Sequence, residues 1–250
     1  MIKLVTDFSG VGAANHALDL AGLEHENVSA CDLDKFARRS YLAVFGTKED
    51  MALLDTDEVK KIDSVYYREF VSGKSPSKEE WDWVHANEER VARKFSFYYP
   101  WNVYSRAIPK KPVDLYISSP PCQGFSIAGK REGSILFLNS LDFIRKNKPR
   151  VFIFENVKGL LSHDKGATFD YWTQTLGGKS INGVYNSFFV HPDSVPYHIH
   201  YTVLNSKEHG VPQNRERVFI VGFRDDEDNE FSWPRTEPLT KRLKDILESE

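Results

Sequence analysis

Cysteine is scarce, with two in 250 residues. Neither Cys31 nor Cys122 sits in a Cys-x-x-Cys pair, which argues against a disulfide framework, a zinc knot and a thioredoxin-type dithiol, and suits a reducing cytoplasm. Long hydrophobic runs are missing too. None approaches the roughly 20 residues of a membrane span. The opening "MIKLVTDFSG" is too poor in apolar residues for a signal peptide and reads as a strand. Charge of one sign is also missing: the net charge is −3, which argues against a surface coated for nucleic-acid binding but not against one local basic cleft. There are no repeats and no low-complexity tracts. What is present is 40% hydrophobic and 28% charged sequence, enough for one large domain or two small ones with a buried core.

The chain opens in a βαβα rhythm. Residues 2–6 form an apolar strand, "DFSGVG" turns it into a helix with Ala14, Leu18 and Ala21 on one face, and Gly22 stops that helix. Residues 27–31 read as a second strand, followed by a helix with Ala37, Tyr41, Val44 and Phe45 on its apolar face. Strands alternating with helices predict an α/β fold with a largely parallel sheet. Residues at about 60–112 interrupt the rhythm as an insertion. Within it "SKEE" has capping-box form, and Trp81, Val84, Val91 and Phe95 keep helical spacing. The aromatic run at 95–104 reads either as packing or as a stacking surface for bases.

The sheet resumes at 114–118. A helix follows over 134–147, then "VFIF" at 151–154, a fully apolar strand suited to a sheet centre. Residues at about 162–198 read as an irregular surface insertion. "HYTVLNS" and "RVFIVGF", joined by the polar loop "KEHGVPQNRE", read as a hairpin that gives the sheet an antiparallel edge. A proline-punctuated linker and a short helix with Leu243, Ile246 and Leu247 on one face end the chain.

Five places have the residue types of a reactive site. Glycines in "FSGVGA", Phe8–Ala13, allow close ligand approach at a strand-to-helix turn. Asp32, at the end of the second strand, suits either a ribose hydroxyl or a helix N-cap. Cys122, in "SSPPCQGFS", is either a nucleophile on a proline-fixed turn or a small buried residue. Glu155 follows "VFIF" directly; partial burial there would raise its pKa and let it hold a proton, and a salt-bridged or capping role is the alternative. Arg215 and Arg217 alternate with Glu216, so the arginines share a side if the segment is extended, in a turn that could equally be solvated.

In this order, "DFSGVGA", "PPCQGFS", "ENV" and "GVPQNRERVFIVG" resemble the DNA (cytosine-5)-methyltransferase family, from Ile2 to about Gly222. The resemblance implies a Rossmann-like, S-adenosylmethionine-dependent methyltransferase fold. It implies transfer of a methyl group to C5 of a cytosine flipped out of double-stranded DNA. Cys122 would be the nucleophile at C6, on a turn fixed by Pro120 and Pro121. Glu155 would hydrogen-bond N3 and the exocyclic amine, Arg217 would hold O2, and Arg215 would lie near the thiolate. Phe8, Gly10, Gly12, Asp32 and Pro120 would line the cofactor site. Leu33 stands where many relatives have an aromatic, and Asp55 and Leu136 match adenine contacts. No metal is implied.

Ala13 replaces a glycine usual in the first motif. No target-recognition domain is recognisable after residue 230, so the chain is expected to be the catalytic part of a split, restriction-modification-type enzyme of a prokaryote or phage, with recognition on a second polypeptide. A piece of a longer enzyme would look the same. A self-sufficient DNA or RNA methyltransferase using its insertions, and a non-catalytic accessory protein, are the competing readings.

Overall fold

The computed structural model describes residues 1–101, 103, 111–121, 132–186, 190–227 and 230–245, with 132–135 and 243 by backbone alone. Cys122 therefore lies outside the described residues, as do Ile246 and Leu247 of the expected last helix; Leu243–Asp245 is one 3-10 turn. The chain divides into two compact units, Met1–Ser118 and Ser119–Glu250. No helix among the described residues is long and apolar enough to cross a membrane.

The first unit holds β1 (Ile2–Asp7), α1 (Ala13–Leu20), β2 (His25–Cys31), α2 (Lys35–Phe45), α3 (Lys48–Leu53), α4 (Asp57–Phe70), α5 (Lys78–Ala92), β3 (Tyr98–Tyr99) and β4 (Leu115–Ser118). Its strands pair in parallel in the order β3-β2-β1-β4, so the order reverses at β1. Ligands of open α/β sheets bind beyond the carboxyl ends of the strands at such a reversal. The expected rhythm is there, with local corrections. Gly22, at φ 68°, lies one residue past the α1 C-cap, and its N–H donates to the Asp19 carbonyl as the helix closes. Ala21 is exposed, whereas the polar Asn15 is fully buried. Asn15 Nδ2 donates to Asn27 Oδ1 at 2.6 Å, and its own oxygen accepts from the Tyr41 hydroxyl at 3.0 Å. Val44 is 59% exposed; Leu42 takes its place in the core beside Tyr41.

The expected interruption at 60–112 contains more structure than a single helix. Helix α4 follows Thr56, carries Asp57 and Glu58 in its first turn, where negative charge suits the helix dipole, and buries Val59, Ile62, Val65 and Tyr66. Α5 begins at the Ser77–Glu80 capping box. In the aromatic run, Phe95, Tyr98, Tyr99 and Trp101 are buried, which favours packing over a stacking surface for these residues.

The second unit holds α6 (Glu132–Asn147), β5 (Val151–Val157), a kinked 3-10 segment (Lys158–Gly166), α7 (Ala167–Leu176), β6 (Ser180–Ile181), β7 (Val184–Tyr185), β8 (Tyr197–Asn205) and β9 (Glu216–Arg224). Its strands run β5-β9-β8-β6-β7. Β9 is antiparallel to both β5 and β8, as the hairpin reading requires, and β6 and β7 extend the sheet past it. The stretch 162–198 is not merely irregular surface. Α7 buries Phe169, Trp172 and Leu176, and Trp172 stacks on Phe137 of α6 at 4.1 Å. The many glycines and polar residues around α7 hid its apolar face. Nor is "VFIF" buried on both faces: Phe152, Phe154 and Asn156 are buried, while Val151, Ile153, Glu155 and Val157 are partly open.

Gly222 of β9 faces Phe152 in register, and a Cβ on it would come 2.1 Å from the phenyl ring. Gly222→Ala should therefore destabilise by about 1–3 kcal/mol through overpacking. Thermal denaturation should show the loss, and adding Phe152→Leu should recover part of it.

Candidate active site

In the first unit the site is built at the end of β1. Phe8 and Gly10 both have φ 55° and Gly12 has φ 91°, a left-handed run that turns the chain sharply into α1. The two glycines serve different ends. A Cβ on Gly12 would meet the Phe45 ring at 2.5 Å, so its smallness lets α1 approach α2, whereas a Cβ on Gly10 would meet nothing within 4 Å. Gly10 thus borders open space. Ser9 fixes the turn from beneath: its hydroxyl lies 2.7 Å from Thr6 Oγ1, and the Cys31 N–H donates to it at 3.1 Å. Asp7 is buried and accepts from the Tyr116 hydroxyl at 2.6 Å, tying β1 to β4.

Asp32 spans the two strand ends. One carboxylate oxygen accepts from the Gly10 N–H at 2.7 Å and the other from the Asp34 N–H at 2.8 Å. The N-cap of α2 is Asp34, which accepts from the Phe36 and Ala37 N–H groups, so the capping alternative for Asp32 is corrected. Two acidic residues stand in "CDLD", and spacing alone did not separate the cap from the turn-binding residue. Burial pushes the Asp32 carboxyl up from the usual range, opposed by its backbone hydrogen bonds. Each oxygen retains acceptor capacity beyond its one N–H partner. Open space at Gly10 beside a fixed acceptor is what an adenosyl ribose needs, so these residues fit the implied cofactor. Leu33 beside them is 37% exposed.

Asp55 lies elsewhere, in the link between α3 and α4, exposed and 2.6 Å from Arg39. Β3 ends at Tyr99, so the loop beyond the third strand begins at Pro100 rather than at Asp55. That loop is held by a network the sequence did not reveal. Asp63 accepts from Arg38 at 2.6 Å and from Trp101 Nε1 at 2.8 Å, while Arg38 also donates to the Pro100 carbonyl at 2.5 Å. A buried arginine inside an amphipathic helix carries no spacing signal of its own.

In the second unit the site is built at the carboxyl end of β5. The pleat sends Glu155 and Asn156 to opposite faces. Asn156 is buried and its Nδ2 donates to the Pro120 carbonyl at 3.0 Å, two residues before Cys122. Glu155 lies on the opposite, more open face. Because β9 runs antiparallel, its first residues arrive at this same end: Arg217 pairs with Val157, and Phe219 with Glu155. Arg217 is therefore diagonal to Glu155 on the same face, and its Nε lies 2.8 Å from the carboxylate. The side chains are 21% and 26% exposed.

Arg215 is exposed, with its backbone held at both ends: its N–H donates to Asn205 Oδ1 and its carbonyl accepts from the Ser206 N–H, each at 3.1 Å. Leu136 is half-buried on α6. The structure thus brings together Gly10 with Asp32, Asn156 with Pro120, and Glu155 with Arg217.

The family model for C-5 cytosine-specific DNA methylase matches residues 101–250. The chain belongs to this family. Among curated proteins, the orphan methyltransferase M.Rho11sI of Bacillus phage rho11s is 30% identical over 256 residues, covering 99% of this chain and 39% of that protein. The type II methyltransferase M.HpaII of Haemophilus parainfluenzae is 42% identical over 143 residues, covering 54% of this chain and 34% of that protein. The chain thus spans half or less of the length of these relatives. Among solved structures, the Dnmt2 methyltransferase of S. pombe matches with a TM-score of 0.59 at 17% identity, over 100% of this chain and 62% of that one. That likeness supports the Rossmann-like methyltransferase fold.

Asn156→Asp would set a second acceptor against the Pro120 carbonyl in a buried place. It should cost about 1–3 kcal/mol, measured by urea unfolding, while Glu155→Gln on the more open face should cost less.

Proposed function

We propose that this chain transfers a methyl group from S-adenosylmethionine to C5 of cytosine in DNA, through an adduct between Cys122 and C6 of the base. The carrying observation is the Glu155–Arg217 pair at 2.8 Å, beside the strand position that pins Pro120. A carboxyl group and a guanidinium side by side match neighbouring groups on the cytosine edge: Glu155 serves N3 and the exocyclic amine, and Arg217 serves O2. Cys122 supplies what the base lacks. C5 is a poor nucleophile until the thiolate adds at C6 and makes the ring an enamine. Glu155 donates a proton at N3 and so stabilises that adduct. After transfer, loss of the C5 proton and expulsion of the thiolate restore the aromatic ring. By the resemblance, Arg215 would be the cation that favours the ionised form of the thiol, as a nearby cation does.

Bound S-adenosylmethionine would supply the electrophilic methyl. Phe8, Gly10 and Gly12 would wrap it and Asp32 would accept from its ribose hydroxyls, while the resemblance assigns Leu33, Leu136 and Pro120 to its apolar parts. Asp55 is the weakest of these assignments, since its carboxylate is already paired with Arg39. The target base is flipped from duplex DNA, because C5 is unreachable within the stack. Sequence recognition comes from a second polypeptide in a bacterial or phage cytoplasm, a reading supported by the absence of a basic surplus in the composition.

A duplex carrying 5-fluorocytosine at its target should trap the wild-type protein covalently on denaturing gels when S-adenosylmethionine and the recognition partner are present. Cys122→Ala should not be trapped; trapping that persisted would move the nucleophile elsewhere. Asp32→Ala should weaken S-adenosylmethionine binding by about 1.5–3 kcal/mol, the scale of a charge-assisted hydrogen bond, in a calorimetric titration. Tritiated-methyl assays on mixed-sequence duplex should show little turnover by the chain alone. Robust turnover without a partner would transfer recognition to this chain's own segments.

A further inference from the structure

Within the first unit a second concavity, of about 460 Å³, opens between α2 and α4. It shares no residue with the glycine turn, Asp32 or Leu33. Its charge is only partly compensated. Arg38 pairs with Asp63 and Arg39 with Asp55, each at 2.6 Å. Lys35 and Lys60 also line it, and among the described residues neither is paired with a carboxylate. Two cations are left over in one hollow of a chain whose net charge is −3.

The walls are aromatic. Phe36 is 69% exposed and Tyr67 46% exposed, although both are large enough to be costly on a surface. Lys35 Nζ lies 5.1 Å from the Phe36 centroid and 5.3 Å from the Tyr67 centroid, so an ammonium and two ring faces share the same small volume. Arg38 adds a separate observation. Its side chain is 1% exposed, and among the described residues its Nε has no hydrogen-bond partner, although both terminal nitrogens are satisfied. That donor is closed off from solvent, so a ligand in the hollow would meet the lysines and rings rather than the Arg38 Nε.

We infer that this pocket binds a nucleoside phosphate, with the anion on Lys35 and Lys60 and the ring against Tyr67 and Phe36. Lysines without carboxylate partners answer the charge, and ring faces stack on any base, as in single-strand binding grooves. The same chemistry is presented by a nucleotide within a DNA strand and by a free nucleotide. Asp55 is the one residue it shares with the proposed cofactor site, and there its carboxylate is held by Arg39; the lysines and rings lie outside that site.

The test uses the whole chain and two probes, a fluorescein-labelled oligothymidylate of about fifteen nucleotides and free thymidine monophosphate. The variants are Lys35→Ala/Lys60→Ala and Tyr67→Ala, all at exposed positions. Removing both lysines should weaken binding about tenfold and flatten the salt dependence of log affinity for the oligonucleotide by about 1.4, the share of two phosphate contacts on a single strand. Tyr67→Ala should weaken it about fivefold or more. Calorimetric affinity for S-adenosylmethionine should be unchanged in both variants. Saturable binding of the oligonucleotide alone would assign the pocket to a strand, and equal binding of the monophosphate would assign it to a free nucleotide; either supports the site. Failure of both probes to saturate the wild-type chain would overturn it. So would variants that bind as wild type does, or variants that lose S-adenosylmethionine affinity in step, which would make the pocket part of the cofactor site.

Discussion

A single side-chain amide joins the strand to the turn on which the chemistry proposed for the second unit depends. Asn156 is buried on β5 and donates to the carbonyl of Pro120. Proline has no N–H and fixes its own φ, so a Pro-Pro turn is rigid but cannot pair through its amides. Only its carbonyls offer a handle, and Asn156 takes one of them. The adjacent Glu155 then has to face the other way, because successive residues of a strand alternate sides. Neighbouring positions on one strand thus perform separate tasks without competing for space: one anchors the chain that precedes Cys122, the other presents a carboxyl group.

The direction of β9 matters as much. Had β9 run parallel to β5, its first residues would lie at the opposite end of the sheet from Glu155. The antiparallel hairpin returns the chain so that Arg217 enters beside the carboxyl end of β5. A parallel sheet gathers loops at one edge through crossovers; a hairpin reaches that edge directly. The first unit uses crossovers, with β1 and β2 ending together so that Gly10 and Asp32 meet across 22 positions of sequence.

Much of this was legible from residues alone. The βαβα opening, the hairpin, the glycine turn after β1 and the end of β5 follow from alternation, glycine turns and short apolar runs. What escaped was polar and buried. Asn15 sits in the core through bonds to Asn27 and Tyr41, so hydrophobic spacing passed over it. Arg38 is enclosed by Asp63 and the Pro100 carbonyl, partners distant in sequence. Α7 was hidden because glycine and polar residues surround its buried Trp172. Asp55 likewise has a partner that its motif did not show: it is exposed and ion-paired with Arg39. In each case the deciding contact lies far along the chain, where local pattern has no information.

The Glu155–Arg217 pair also bears on what the site leaves out. An uncompensated guanidinium in a half-open hollow is a general trap for phosphate and other small anions, which abound in any cell. Here the charge is already answered from within, so a simple anion gains little by entering: it would have to displace the carboxylate it resembles. A neutral ring that offers a donor edge to one partner and an acceptor to the other can replace both halves of the pair at once. In the proposed base site the pair would act as a resident decoy, and discrimination would rest on what it takes to dislodge it.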